Sequence, residues 1–368
     1  MVCLFLLTLI EKCVLKLKGG EVEMKHETME FKDSTLRLID QRKLPGTVEY
    51  YEADDYREVE FAISDMVVRG APAIGATGAY GVYLAALEYS DLAKEKFFTN
   101  MKEANEELAQ ARPTAVNLTW AINKMEELME ENKDKEIKEI VDIIFNEAEK
   151  IAREDVEINK EMARNGNTVI PEGATILTHC NTGALATVGY GTALGVIREA
   201  HNTGKDIKVY ADETRPRLQG ARLTAFELVE EGIPSTLISD SVAATLIRDG
   251  EIDVILVGAD RVAANGDAAN KIGTYMLSAL AKIHDVPFYV VAPTSTIDFD
   301  TESGDLIEIE ERSDKEVTHI QGVQIAPEKI DVYNPAFDVT PAENITGIVT
   351  EEKVIEKPFK VGISELNS

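Results

Sequence analysis

Three kinds of residue in this chain are placed to do chemistry. The first is a thiol. Cys180 lies in the run THCNTGALATVGYGTALG, at the end of a short β-branched segment, with a helix expected from about Ala184. Near a helix N-terminus, free amides and the helix dipole favour a thiolate. A small buried core residue is the other reading of a free cysteine, and placement alone does not choose. The second is a carboxylate. Asp260, in DVILVGADRVAANGDAANKIGT, closely follows an apolar strand. In a closed cleft, desolvation would raise its pKa toward that of a general acid or base. Read alone, a helix cap or an ion pair with Arg261 is the plainer account. The third is a set of cations. Arg215, Arg217 and Arg222 surround Gln219, while Arg69 and Arg112 each precede a proline-containing helix start. Guanidinium forks suit phosphate. Asn265-Gly266 marks a turn, and Asn270 and Lys271 are expected at a helix start, where amides and a cation can hold an anion. Any one arginine also reads as a surface ion pair, an account less comfortable for five at loop-to-helix junctions. No GxxxxGK[ST] or GxGxxG element is present, so the sequence carries no nucleotide-binding motif.

The elements that must position these groups fall into two halves. Extended segments are expected around 27–31, 36–40 and 48–51. Helical spacing of apolar residues then covers 57–66, 72–87, 92–109, 115–131 and 137–163. The stretch GAPAIGATGAYGVYLAAL (70–87) is rich in Gly and Ala, which allows close helix packing. From Ala174 short β-branched runs alternate with helical ones. Strands are expected at 174–179, 207–211, 235–239, 253–258, 287–292 and 345–349, with helices near 185–201, 217–231, 241–249 and 268–284. That alternation is the sequence form of βαβ units and a parallel sheet. Residues 298–328 are acidic and irregular, a long connection. In an open parallel sheet ligands bind outside the carboxyl ends of the strands. Residues at or just after those ends include His179, Cys180 and Asn181, then Asp212, then Asp240, then Asp260 and Arg261.

The bulk numbers exclude several classes. At 368 residues and 44% hydrophobic, the chain can bury a large core. A net charge of −28 repels phosphate backbones and anionic lipid, so neither nucleic acid nor membrane is expected as a partner. The 3 cysteines, Cys3, Cys13 and Cys180, make neither a disulfide framework nor a zinc site, and point to a reducing cytoplasm. None of the 5 histidines pair at metal-ligand spacing, so no metal is expected. The apolar run MVCLFLLTLI is too short to span a bilayer and a poor signal peptide. Residues 1–24 read as a dispensable extension or an upstream start codon, with a membrane-docking tail as the alternative.

Eight blocks carry a family resemblance: LIDQRKLP (38–45), VVRGAPAIG (67–75), ARPTAVNLTWAI (111–122), ILTHCNTGALATVGYGTALGVI (176–197), ADETRPRLQGARLTAFEL (211–228), ILVGADRVAANGDAANKIGT (255–274), IEIEERSDKEV (307–317) and NPAFDVTPAENITGIVTE (334–351). In this order they resemble the S-methyl-5-thioribose-1-phosphate isomerases of methionine salvage, over nearly all of Leu36–Ile355. The resemblance implies an α/β protein: a helical N-terminal domain with a small sheet (25–150), then a Rossmann-like parallel-sheet catalytic domain (151–368), in a cytoplasmic homodimer. It implies an aldose-ketose isomerase with no cofactor. The family's catalytic cysteine and aspartate fall on Cys180 and Asp260. Its substrate-binding positions fall on Arg69, Gly70, Ala71, Arg112, Gln219, Asn270 and Lys271. Two alternatives share the fold. A ribose 1,5-bisphosphate isomerase shares the cysteine and aspartate but would need a further cationic pocket for the C5 phosphate. Regulatory subunits of the translation-initiation nucleotide exchange factor are not catalytic, and the Cys180–Asp260 pair together with the arginines argues against them.

Overall fold

The computed structural model describes residues 24–113 and 115–367; the N-terminal extension, apart from Met24, lies outside them. Three antiparallel strands come first, β1 (Met29–Lys32), β2 (Thr35–Ile39) and β3 (Tyr50–Ala53). Five helices follow: α1 (Tyr56–Ser64), α2 (Ala71–Glu88), α3 (Lys94–Gln110), α4 (Val116–Glu131) and α5 (Ile137–Asn167). Asp55 starts α1 by accepting the Arg57 and Glu58 N–H groups on its carboxylate. α2 is the centre of this half. Residues on all its faces are buried, as an all-round apolar helix requires. Its glycines permit the packing: a Cβ on Gly78 would lie 2.4 Å from Leu118 Cδ1 on α4.

α5 runs unbroken through residues 150 and 151, and its later turns pack on α6 (Ala193–Asn202). The second half is built on a seven-stranded sheet. Its strands are β4 (Thr175–Thr178), β5 (Lys208–Asp212), β6 (Ser235–Ile238), β7 (Val254–Val257), β10 (Phe288–Val291), β15 (Gly347–Val349) and β16 (Val354–Glu356). The order is β16-β15-β10-β7-β4-β5-β6, parallel throughout except for β16. Helices α7 (Ala225–Glu230), α8 (Val242–Arg248) and α9 (Thr274–Ile283) complete the crossovers. Ile176, Val254 and Leu256 enter one apolar layer; Leu177, Ile255 and Val257 enter the opposite one. A sheet buried on both faces explains why these strands read as continuous apolar runs.

A smaller sheet lies beyond β7. Its strands are β8 (Arg261–Ala263), β9 (Ala268–Lys271), β11 (Ile297–Asp298) and β14 (Phe337–Thr340), in the order β11-β8-β9-β14. The Asn265-Gly266 turn joins β8 to β9, with Gly266 at φ +92°. A two-strand hairpin, β12 (His319–Ile320) and β13 (Val323–Gln324), interrupts the acidic connection after a short helix α10 (Lys315–Thr318). Helix α11 (Phe359–Ser364) closes the described chain. Among the described residues, no helix is long and apolar enough to cross a membrane.

Two expectations about helix starts are corrected. Asn270 and Lys271 lie on strand β9, paired with Asp338 and Phe337, and α9 begins only at Thr274. Pairing with β14 overrides the helical preference of the alanine-rich run. After Cys180 there is only a 3₁₀ turn, Ala184–Ala186; the next full helix begins at Ala193. Gly183 and Gly191 pair across the intervening loop instead.

Candidate active site

The order of the large sheet fixes where a cleft can open. From β4 the chain moves outward to β5 and β6, then returns to β7 on the other side of β4. The loops after β4 and β7 therefore diverge, and the crevice at such a switch point is where open parallel sheets bind ligands. Cys180 closely follows the first of these strands and Asp260 the second. Both line one cleft, with Arg69, Gly70, Ala71, Arg112, Gln219, Asn270 and Lys271. All nine residues expected at the site thus meet in one place.

Cys180 is buried and left-handed, at φ +65°. Its N–H donates to Thr214 Oγ1 at 2.9 Å, and its carbonyl accepts from Thr224 Oγ1 at 2.6 Å. Two hydroxyls, Thr214 from the segment after β5 and Thr224 from the helical turn leading into α7, thus hold a strained backbone, the kind of strain that persists only where surroundings over-determine it. Gly220 lets that loop close in, since a Cβ there would lie 1.6 Å from the Asp212 carbonyl oxygen.

The helix start that opens on the cleft is that of α2. Gly70, at φ +98°, precedes it without a side-chain cap, and a Cβ on Gly70 would lie 2.2 Å from the Ala186 carbonyl oxygen. The uncapped amides of an 18-residue helix therefore face the cleft beside Arg69. The α6 start, by contrast, is satisfied within the protein, with Leu194 N–H donating to Thr182 Oγ1 at 3.2 Å.

Among the described residues, Arg69, Arg112 and Lys271 form no ion pair within 4 Å, and Gln219 Oε1 and Arg69 Nε are buried without a hydrogen-bond partner. Burial pushes the Arg69 and Arg112 guanidiniums down; Arg312 adds to this at Arg112, while nearby acids oppose it. Burial and Arg312 bring the Lys271 ammonium down to about 8. Its Nζ donates to the Ala336 carbonyl at 3.0 Å and lies 4.3 Å over the Phe337 ring. Burial pushes the Asp260 carboxyl up, against the pull of Lys271, Arg112, Arg312 and Arg69. Arg261 does not pair with Asp260; its partner is Asp298, at 3.4 Å.

Arg69 is aimed by a buried chain. Its guanidinium donates to the Asn181 side chain and carbonyl. Asn181 donates to Glu227 at 2.7 Å, and Glu227 also accepts the Ala184 N–H at 2.7 Å. Arg198 flanks Glu227 at 3.5 Å and holds Glu231 through two hydrogen bonds. Burial pushes the Glu227 carboxyl up to about 7.

Three expected phosphate arginines lie outside this cleft. Arg215 donates to the Pro216 and Val317 carbonyls, Arg217 to Glu316, and Arg222 to the carbonyls of Gln41, Arg42 and Leu44. They tie loops together. Conversely, sequence reasoning missed Arg312. It reaches the cleft from the acidic connection, bound to both oxygens of Glu310 at 3.0 and 3.2 Å and 5.5 Å over Phe337. Its signal was its isolation, the single arginine in 298–328. Ile307, Ile309 and Phe337 come with it and make one wall apolar.

His179, Asp212 and Asp240 also gather behind Cys180, close enough to meet one ion. Most of their donors are engaged in the protein, Asp212 Oδ1 being buried without a hydrogen-bond partner. Asp240 accepts the Thr214 and Arg215 N–H groups at 2.7 and 2.8 Å, and both His179 ring nitrogens are hydrogen-bonded.

A parallel sheet with a buried, cation-rich cleft at its switch point defines the class, an α/β protein with a charged crevice at the carboxyl ends of its strands. The chain belongs to the initiation factor 2 subunit family, whose model matches residues 67–357. It is similar, at 66% identity over 340 residues, to the methylthioribose-1-phosphate isomerase of Caldanaerobacter subterraneus subsp. tengcongensis; the match covers 92% of this chain and 99% of that one. Among solved structures it resembles 5-methylthioribose 1-phosphate isomerase from Pyrococcus horikoshii OT3, at 48% identity and a TM-score of 0.90, covering 94% of this chain and 97% of that one. It also resembles the translation initiation factor eIF-2B, subunit delta, from A. fulgidus, at 44% identity and a TM-score of 0.83, covering 92% and 98%.

Proposed function

We propose that this chain is an aldose-ketose isomerase that converts 5-methylthioribose 1-phosphate to 5-methylthioribulose 1-phosphate, a step of methionine salvage. The observation that carries the reading is the meeting of Cys180 and Asp260 at the β4–β7 switch point, beside Arg69, Arg112 and Lys271, which form no ion pair among the described residues. Such cations suit a phosphate.

The substrate carries its phosphate on C1, so its ring has no free anomeric hydroxyl and cannot open unaided. A carboxyl with a raised pKa is suited to donate a proton to the ring oxygen. Asp260 does so, the C1–O bond breaks, and C1 becomes electron-poor. Hydrogen then leaves C2 for C1. If it moves as hydride, Cys180 acts as a polarising neighbour at the C1–C2 edge, C2 is oxidised, C1 is reduced, and the C2 hydroxyl gives its proton back to Asp260. If it moves as a proton, Cys180 takes it from C2 and an enol forms; Cys180 then returns the proton to C1 while the enol hydroxyl gives its proton to Asp260. Both routes end in a C2 ketone with the phosphate in place. Arg69, Arg112, Lys271 and the α2 amides hold the phosphate, while Gln219 and Asn270 bind sugar hydroxyls.

The apolar wall of Ile307, Ile309 and Phe337 suits a methylthio group. The unforeseen cation Arg312 does not argue for a second phosphate, because Glu310 already engages it bidentately. The same reading divides the chain into an N-terminal helical domain with a small sheet and a Rossmann-like catalytic domain, the passage running along α5, and places a homodimer in the cytoplasm. The test is to follow ketose formation by NMR on 5-methylthioribose 1-phosphate and ribose 1,5-bisphosphate in parallel. Turnover of the first is expected. Turnover of only the second moves the protein to another substrate, and turnover of neither by folded protein removes the enzyme reading.

A further inference from the structure

The residue before Cys180 is buried in a polar cluster that the reaction does not use. His179 places Nδ1 2.9 Å from Asp212 Oδ2 and Nε2 2.9 Å from the Ile272 carbonyl oxygen. A carbonyl only accepts, so Nε2 carries a hydrogen. Nδ1 meets a carboxyl group, so a second proton is shared between ring and acid. Burial opposes a charged ring, but Asp212 and Asp240 outweigh it and move the imidazole up. The other groups facing this cluster are Glu213, beside Asp212, and Asp338 and Lys271 on the paired strands β14 and β9. Asp338 is itself occupied, accepting the Gly273 and Tyr275 N–H groups at 2.7 and 3.0 Å.

The bonds of His179 run between two parts of the site. Its own chain continues into Cys180, whereas Ile272 directly follows Lys271. Asp212 lies on β5, two residues before Thr214, which receives the Cys180 N–H. The ring also fills the space over Gly273, where a Cβ would lie 3.1 Å from it.

We propose that His179 is a positioning residue: bridging Asp212 and the Ile272 carbonyl as an imidazolium, it fixes Cys180 relative to Asn270 and Lys271. The proposal rests on the isomerase reading above. Its first test is ¹⁵N NMR of histidine-labelled wild-type protein between pH 5.5 and 8.5. One histidine is expected with both ring nitrogens protonated across that range, identified by its absence in His179→Gln or by elimination with variants at the other four histidines. A neutral ring in the His179 signal overturns the proposal. The second test is steady-state kinetics of His179→Gln and Asp212→Asn, with folding checked by circular dichroism. Each should lower kcat at least tenfold while KM stays within threefold. Unchanged kcat in folded variants, or a loss carried by KM alone, overturns the proposal and leaves the isomerase standing. A wild type inactive on the sugar phosphate removes the isomerase reading, and this role with it.

Discussion

Two sets of arginines in this protein look alike in sequence and behave differently. Arg215, Arg217 and Arg222 crowd one segment of an acidic chain, yet their forks end on carbonyls and on Glu316. Arg69 and Arg112 lie far apart in sequence, yet meet in the cleft without an ion pair. The difference teaches that a cation available to a ligand is one the fold has desolvated without neutralising. Clustering along the chain does not confer that; burial beside a helix start, with no acid close enough for an ion pair, does.

The sharpest way to break the comparison is to remove the reactive groups the cleft arginines serve. Asp260→Asn and Cys180→Ser should each lower kcat by about 10²–10⁴-fold, the usual loss for an acid–base group, as read by steady-state assay. Next comes the contrast itself. Arg112→Ala should lower kcat/KM by roughly ten- to a hundredfold, in line with a charge-assisted hydrogen bond of about 1.5–3 kcal/mol. Arg217→Ala, at a half-exposed pair with Glu316, should change it by less than about threefold. Equal effects would dissolve the distinction.

A third prediction uses pH. Lys271 titrates near 8, and its protonated form attracts the anion. KM should therefore be low below that value and rise above it, by at most about tenfold per pH unit. Lys271→Arg should shift the rise to higher pH, since a guanidinium stays charged.

The smallest effect concerns Glu227, which supports Arg69 through Asn181. Its carboxyl is pushed up to about 7, so the native state holds a proton that the unfolded state releases nearer the ordinary glutamate value. Stability then falls as pH rises between roughly 4.5 and 7. Glu227→Gln should flatten that part of the curve of melting temperature against pH, measured by circular dichroism. An unchanged slope would mean that Glu227 is not the group responsible.

Much of this was legible in the sequence because the signals were local. The six strands of the large sheet expected from apolar runs all formed within a residue or two of their expected ends. Cys180 and Asp260 were visible as polar residues closing such runs. What escaped depended on distant partners. The AANK run at Ala268–Lys271 reads as helix until β14, some seventy residues on, pairs with it. The loop after Cys180 reads as a helix start until Gly183 and Gly191 pair with each other. Arg312 sits where periodicity is absent, and only the return of the acidic connection over the cleft brings it to Phe337.

The central claim is that the cleft isomerises a 1-phosphorylated aldose without losing its phosphate. A ³¹P and ¹³C NMR time course of wild-type protein with 5-methylthioribose 1-phosphate, beside Asp260→Asn, tests it most directly. The account predicts a ketone carbon at C2 with the phosphate ester retained on C1 in the wild type, and substrate largely unconverted over the same time in the variant. Release of inorganic phosphate, or the same conversion by folded Asp260→Asn, would contradict it.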